Sequence, residues 1–240
     1  MTDHRVRGTT AVAAALVLVV VVVVVVAPLL LTSPAATAAP LAPSSSDQVY
    51  QLEDAISLLV EADEDRTGYA DTAFPRWNQG LDPADGCTTR EEVLIAEAVE
   101  QPAVSRGCAL RGGRWVSPYD NQSATDLQAL AVAHAVPLAE AWGSGAKAWT
   151  AERREAYAND QAAYPSLNVV TARTVRERAE ADIAGWLPPH PDAVCRYIGD
   201  WVATKLRWGL TVDKNENEVL KLFADNSCET TGVIRRLASV

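Results

Sequence analysis

The chain has little of several residues that exported domains often rely on: one methionine, two phenylalanines, three histidines and four cysteines among 240 residues. The cysteines are Cys87, Cys108, Cys195 and Cys228; none forms a Cys-x-x-Cys pair or stands close to a histidine. That spacing argues against a structural zinc site, which takes its ligands in close pairs. Positive charge is also scarce, with 21 Lys and Arg against 31 Asp and Glu and a formal charge of −10. A basic surface is the usual footing for nucleic-acid affinity, because phosphate neutralisation supplies most of it. Its absence leaves room only for a nuclease that brings positive charge through a local patch or a divalent ion. The acidic loop from Asp82 to Asp85 lacks the alternating oxygens and closing glutamate of an EF-hand.

What is present begins with a leader. Arg5 and Arg7 precede an apolar run from Ala11 to Leu31, broken only by Pro28, and small residues follow from Ala35 to Ala39. A basic start, an apolar middle and an A-x-A site make a secretory signal, with cleavage expected after Ala38. The run would reach about 30 Å as a helix, so an uncleaved signal anchor over residues 11–31 is the other reading. Arg5 and Arg7 then keep the N-terminus cytoplasmic. Both readings place the remainder outside the cytoplasm, and a membrane enters only through an uncleaved segment. Removing Asp3, Arg5 and Arg7 leaves the rest one unit more acidic than the whole chain. Residues 39–48 read as a polar linker, 49–230 as a single domain and 231–240 as a C-terminal tail. In an oxidising compartment an even set of cysteines reads as disulfides. Cys87 with Cys108 and Cys195 with Cys228 is the expected pairing, since each closes a short local loop.

The periodicity predicts an α+β domain, mostly helical with little sheet. A helix is expected from Val49, with Leu52, Ala55, Ile56, Leu59 and Val60 on one side. Thr88 and Glu91 have capping-box spacing and predict a second helix. Gly112 to Val116 reads as one strand of a short hairpin. Further helices are expected over Ala139–Trp142, 150–164 and 174–184, around a β-branched stretch at 168–172. A strong amphipathic helix over 191–208 turns Val194, Ile198, Trp201, Val202 and Leu206 inward, and a last helix covers 216–224. The seven tryptophans are not interleaved with basic residues, so they read as packing and not as a base-stacking platform.

The most informative stretch is Ala131-Val132-Ala133-His134-Ala135-Val136-Pro137-Leu138-Ala139-Glu140-Ala141-Trp142. It resembles the D-I-D-H-V-V-P-L-A-E-A-W segment of secreted bacterial HNH endonucleases, a family related to the C-terminal domain of GmrSD-type restriction enzymes. Further matches keep the same order. Gly68-Tyr69, Phe74-Pro75 and Trp77 resemble G-Y-x-R-x-x-F-P-x-W, and Gly86 to Arg90 with Val93-Leu94 resembles G-C-D-T-R-x-x-V-L. Cys108, Gly113-Arg114-Trp115 and Ser117-Pro118-Tyr119-Asp120 continue the likeness. So do Trp149, Arg154, Tyr157-Ala158-Asn159-Asp160, Trp186 to Pro189, Cys195, Tyr197, Trp201, Val202 and Lys205.

The resemblance implies a ββα nuclease core with flanking helices. In such a core a histidine acts as general base, and an aspartate and an asparagine hold one magnesium or manganese ion. His134 occupies the base position and Asn159 the intervening asparagine position that helps shape the site. The metal-binding aspartate, however, is Ala133, and the second upstream aspartate is Ala131. The N-R-S-K-G-D helix reads Val175-Arg176-Glu177-Arg178-Ala179-Glu180, so Val175 replaces the asparagine ligand, and Asp71 replaces the arginine of G-Y-x-R. The sequence therefore predicts an exported HNH-type domain impaired in catalysis, with no cofactor and no identifiable partner. An active DNA endonuclease with a metal site rebuilt from Glu140, Glu177, Glu180 and Asp182 is the alternative. A hydrolase built on His134 and Glu140 lacks a nucleophile, since Ser117, Ser123 and Ser144 sit in ordinary turn contexts.

Overall fold

The computed structural model describes residues 47–164 and 166–238, which belong to one unit, Ala38–Val240. The signal, the anchor run and nearly all of the linker lie outside the described residues. Among the described residues no helix is long and apolar enough to cross a membrane.

β1 (Gln48–Gln51) leads directly into α1 (Leu52–Ser57), followed by α2 (Thr89–Ala96). Two hairpins come next, β2 (Ala103–Ser105) with β3 (Ala109–Arg111) and β4 (Trp115–Val116) with β5 (Ser123–Ala124). β6 (Leu130–His134) precedes α3 (Leu138–Gly143) and α4 (Ala151–Ala158). β7 (Leu167–Thr171) then returns antiparallel beside β6 and runs into α5 (Ala172–Arg178). α6 (Val194–Trp208), α7 (Lys214–Ala224) and β8 (Gly232–Arg235) complete the chain. The result is a mixed α/β chain in which, among the described residues, no sheet exceeds two strands.

Two expectations need correction. Val49 and Tyr50 are strand residues, paired with Ile234 and Val233 of β8. The helix therefore starts at Leu52, and residues 232–235 are a built part of the fold, not a tail, with Val233 buried. The apolar pattern from Val49 onward is shared by a strand and a helix, and only the distant partner strand separates them. α4 and α5 are also shorter than their periodicity suggested. α5 stops where Ala179 takes a positive φ of 49°, a left-handed geometry that ends a helix. By contrast, the capping box of Thr88 and Glu91 opens α2 as its spacing requires. α6 closes on Gly209 at φ 66°, a conformation that glycine adopts without a Cβ penalty.

α6 is the axis of the larger core. Tyr197, Ile198, Trp201 and Val202 pack with Leu52 and Ile56 of α1, Phe74, Tyr157 and Leu220. A smaller core gathers Val93 and Leu94 of α2, Trp115, Leu130, Val132, Leu167 and Val169. The β6–β7 ribbon lies between the two. Successive strand side chains point to opposite faces, so Leu130 and Val132 enter the smaller core while Ala133 and Val170 enter the larger one. Each fully buried tryptophan, Trp115 and Trp201, removes on the order of 200 Å² from water, worth about 5 kcal/mol before entropic costs. Both indole N–H groups are satisfied, by the Leu94 carbonyl (2.6 Å) and by Glu216 Oε1 (3.0 Å). Disulfides join Cys87 to Cys108 (Cα–Cα 4.9 Å) and Cys195 to Cys228 (5.2 Å), in the expected pairing.

Candidate functional site

β6, β7 and α5 together make a two-stranded antiparallel ribbon followed by a helix. Arg178, the last residue of α5, fastens the helix to the end of β6. Its Nη1 donates to the carbonyls of His134 (2.9 Å) and Ala135 (3.4 Å). His134 thus sits at the end of β6, tied through its carbonyl to the last residue of α5.

The chemistry of that position is closed. His134 is buried, and its Nε2 lies 3.0 Å from the carbonyl of Ala158. A carbonyl only accepts, so Nε2 carries the proton. The ring stacks with Trp77 (centroids 6.1 Å, planes 18° apart) and with Tyr157 (5.9 Å, 12°), whose hydroxyl is held by the Val136 carbonyl at 2.6 Å. Burial, reinforced by Arg76 and Arg178, lowers the imidazole pKa to about 4 against the smaller opposing effect of the Ala158 carbonyl. Trp77 is held in place by a positive φ of 60°. A bulky residue in that conformation costs on the order of 1–3 kcal/mol, so the surrounding structure must favour the ring's place over His134.

This environment has a measurable consequence. In the unfolded chain His134 titrates near 6.5, so below that pH the unfolded state takes up a proton that the native state refuses. Stability should fall as the pH drops from about 6.5 towards 4, by on the order of 3 kcal/mol from this group. Denaturation at pH 7 and pH 4.5 should show the slope, and His134→Gln should reduce it. An imidazole whose NMR shifts titrate near 6.5 in the native protein would contradict it.

The predicted ligand positions offer no oxygen. Ala133 is buried in the larger core, and Val175 packs against the same core. Asn159 does not face a ligand either: Oδ1 accepts from the Asn78 N–H (3.1 Å), and Nδ2 donates to the carbonyls of Pro75 (2.8 Å) and Glu155 (2.9 Å). It staples the Pro75–Asn78 loop to the end of α4, and so sets where Trp77 lies. Asp160, next in the matched segment, is buried and structural. Its Oδ2 accepts from Arg207 Nε (2.6 Å), Trp208 Nε1 (2.9 Å) and Ser166 Oγ (2.8 Å). Asp71 is paired with Arg76.

Of the four carboxylates considered for a rebuilt metal site, the structure brings two together. Glu140 and Asp182 meet Glu64, with one oxygen from each within 4.8 Å of the others. The group already contains a cation. Arg66 bonds Glu64 and places Nη2 2.7 Å from Glu140 Oε2, while Glu140 Oε1 takes Lys205 Nζ at 2.7 Å and Ser144 Oγ at 2.5 Å. Burial pushes Glu64 up to about 7, with Arg66 opposing and Glu140 adding to the rise. A metal ion would have to displace a guanidinium that also bonds the Glu180 carbonyl (2.7 Å), so this donor set does not fit one well. Glu177 lies on the exposed face of α5 with Arg173 3.7 Å away, and Glu180 meets the Ala139 N–H at 3.4 Å.

Sequence reasoning found His134 and its empty ligand positions but missed what surrounds them. Tyr157 and Trp77 stood in matched motifs without any sign that they stack on the imidazole, and nothing in the local sequence links Glu64 and Arg66 to Glu140. Only the fold brings Arg66 to Glu140.

No family model and no solved structure matches the chain. A protein of Arthroderma benhamiae (strain ATCC MYA-4681 / CBS 112371), described as an uncharacterized secreted protein, is 32% identical over 171 residues, covering 71% of this chain and 81% of that one. Identity of that extent, over most of both sequences, means that the chain belongs to the same family as this secreted fungal protein.

Proposed function

We propose that this chain is an exported ββα domain of the HNH endonuclease type that has lost metal-dependent phosphodiester cleavage and acts through binding. The observation that carries this reading is the state of the β6–β7–α5 element: His134 neutral and enclosed, with Ala133 buried in the core and Val175 packed against it where two oxygen ligands are needed. A neutral imidazole could serve as base, but without an ion nothing neutralises the charge developing on the phosphate. Export is supported by the leader, by the two disulfides, which persist in oxidising compartments, and by the secreted description of the fungal relative.

The test is plasmid nicking with magnesium or manganese, for the natural protein and for Ala133→Asp combined with Val175→Asn. The natural protein is expected to cleave nothing above background. The double variant places a carboxylate in an apolar site, so its stability becomes dependent on an ion. A manganese concentration a hundredfold above its Kd adds about 2.7 kcal/mol, or a rise in Tm of about 5 °C or more. Nicking by the natural protein that is abolished by His134→Ala would overturn the proposal. It would favour an active nuclease with magnesium or manganese held elsewhere, Glu64, Glu140 and Asp182 being the first group to mutate.

A further inference from the structure

Away from His134, the C-terminus of α2, strand β4 and the N-terminal part of α6 enclose a cleft of about 280 Å³. It is lined by Ala96, Glu97, Val116, Pro118, Tyr164 and Arg196. Its polar groups are few and incompletely used. Arg196 Nη2 donates to Asn168 Oδ1 (3.1 Å) and to the Tyr164 hydroxyl, while Nη1 makes no hydrogen bond among the described residues. Glu97 Oε2 accepts from the Val169 N–H at 2.7 Å, and its other oxygen takes no hydrogen bond among the described residues. Behind the guanidinium, one turn along α6, Asp200 is 8% exposed. Its Oδ2 has no hydrogen-bond partner and lies 3.5 Å from Arg196 Nε. The Tyr119 hydroxyl is likewise buried without a partner.

The charge balance of the cleft follows from that arrangement. Glu97 caps the C-terminus of α2, where the helix dipole disfavours a carboxylate. Burial is the larger effect and raises Glu97 to about 7, with the Val169 N–H and Arg196 opposing. Burial likewise raises Asp200 to about 8, with Arg196 opposing and Glu97 adding to the rise. The charged and titratable groups facing Glu97 are therefore Arg196 and Asp200 from α6, together with the Tyr164 phenol, which burial raises. Near neutral pH one guanidinium stands between two acids that are wholly or partly protonated. The cleft has a guanidinium whose Nη1 makes no hydrogen bond among the described residues, a carboxyl group beside it with one unbonded oxygen, and apolar walls from Ala96, Val116 and Pro118.

We propose that this cleft binds a small carboxylate with an apolar or aromatic body: the carboxylate on Arg196 Nη1 and beside the open oxygen of Glu97, and the body against Val116, Pro118 and the exposed ring of Tyr164. Arg196 Nη1 can give one carboxylate oxygen a charge-assisted hydrogen bond, while Nη2 stays on Asn168 and Tyr164. A carboxylic acid beside a carboxylate is a favourable pair only while one of them holds a proton. Binding therefore takes up or retains a proton on Glu97. Affinity is full below pH about 7 and falls as the pH rises through it, by about tenfold between pH 6 and pH 8. The inference is independent of the nuclease reading, since it uses none of the residues around His134.

The experiment is titration of the mature protein with benzoate, inorganic phosphate and benzylamine, by calorimetry and amide NMR at pH 6 and pH 8. Benzoate is expected to bind at pH 6, shifting the amides of Ala96, Val116 and Arg196, and about tenfold more weakly at pH 8. Glu97→Gln keeps a donor at every pH and should flatten that dependence while preserving binding. Arg196→Gln should lower benzoate affinity at least tenfold. Val116→Trp, which fills the cleft from a partly exposed position and leaves every charge in place, should do the same without loss of fold. Benzylamine binding as tightly as benzoate would overturn the proposal, as would phosphate binding equally well, because the apolar walls would then contribute nothing. No benzoate shift at tens of millimolar, or an affinity untouched by both Arg196→Gln and Val116→Trp, would overturn it too.

Discussion

Replacing Lys205 with methionine is expected to destabilise the domain by about 3–5 kcal/mol. The ammonium is wholly buried on α6 and lies 2.7 Å from Glu140 Oε1, 2.7 Å from Glu216 Oε1, 3.0 Å from Ser144 Oγ and 2.8 Å from the Thr211 carbonyl. Its removal leaves two buried carboxylates facing each other. Burial alone would raise Glu140, but Lys205 beside it more than reverses that and holds it below the usual carboxylate range. Burial raises Glu216 to about 7 even with Lys205 present. Without the lysine both acids rise further, and a raised acid contributes most to stability while it is protonated. The destabilisation should therefore be smaller at pH 5 than at pH 8. Adding Glu216→Gln to Lys205→Met should recover part of the loss, since it removes one of the stranded charges. Denaturant melts at the two pH values measure all of this. A loss below about 1 kcal/mol at pH 8 would mean that the cluster is hydrated in solution.

The second large effect concerns the disulfide between Cys195 and Cys228. Replacing both cysteines with serine releases a separation of 33 residues, for which chain entropy alone predicts about 3–4 kcal/mol. The other bridge spans 21 residues, which the same relation makes only slightly less valuable. The packing separates them more strongly. Cys228 is buried in the larger core just before β8, and that strand closes the sheet with β1 and packs along α6. Opening this bridge removes the covalent cross-link between α6 and the chain leading to β8. Opening Cys87–Cys108 loosens a tie beside the smaller core. The Cys195/Cys228 variant should thus show the lower Tm and lose hydrogen-exchange protection in β1 and β8, while the Cys87/Cys108 variant keeps that protection.

The candidate site was legible in proportion to how local its determinants are. Ala133, His134 and Val175 could be named because whether a side chain carries a lone pair is a property of one residue, and no tertiary contact gives one to a methyl group. The capping box at Thr88 and Glu91 and the long amphipathic α6 were legible for the same reason, since their partners lie within a turn or two. The strand character of Val49 and Tyr50 was not, because the edge that pairs with them comes from the far end of the chain. The enclosure of His134 was not legible either. It needs Asn159 to hold the Pro75–Asn78 loop, a left-handed Trp77 to stack on the imidazole, and α4 to bring Tyr157 to stack on it as well.

By itself, then, the sequence determined the disulfide-permissive setting, the short-loop cysteine pairing, the α6 axis and the absence of a side-chain oxygen at Ala133 and Val175. Each depends on composition, on spacing within a few turns or on the chemistry of a single side chain. Tertiary structure decided which charges became buried partners. Glu64 and Arg66 are far in sequence from Glu140 and Lys205, and only the fold brings the four together. It also decided that Glu97 and Arg196 share a cleft. Those outcomes depend on desolvation and on angstrom-scale distances between elements, and both exist only once the chain has packed.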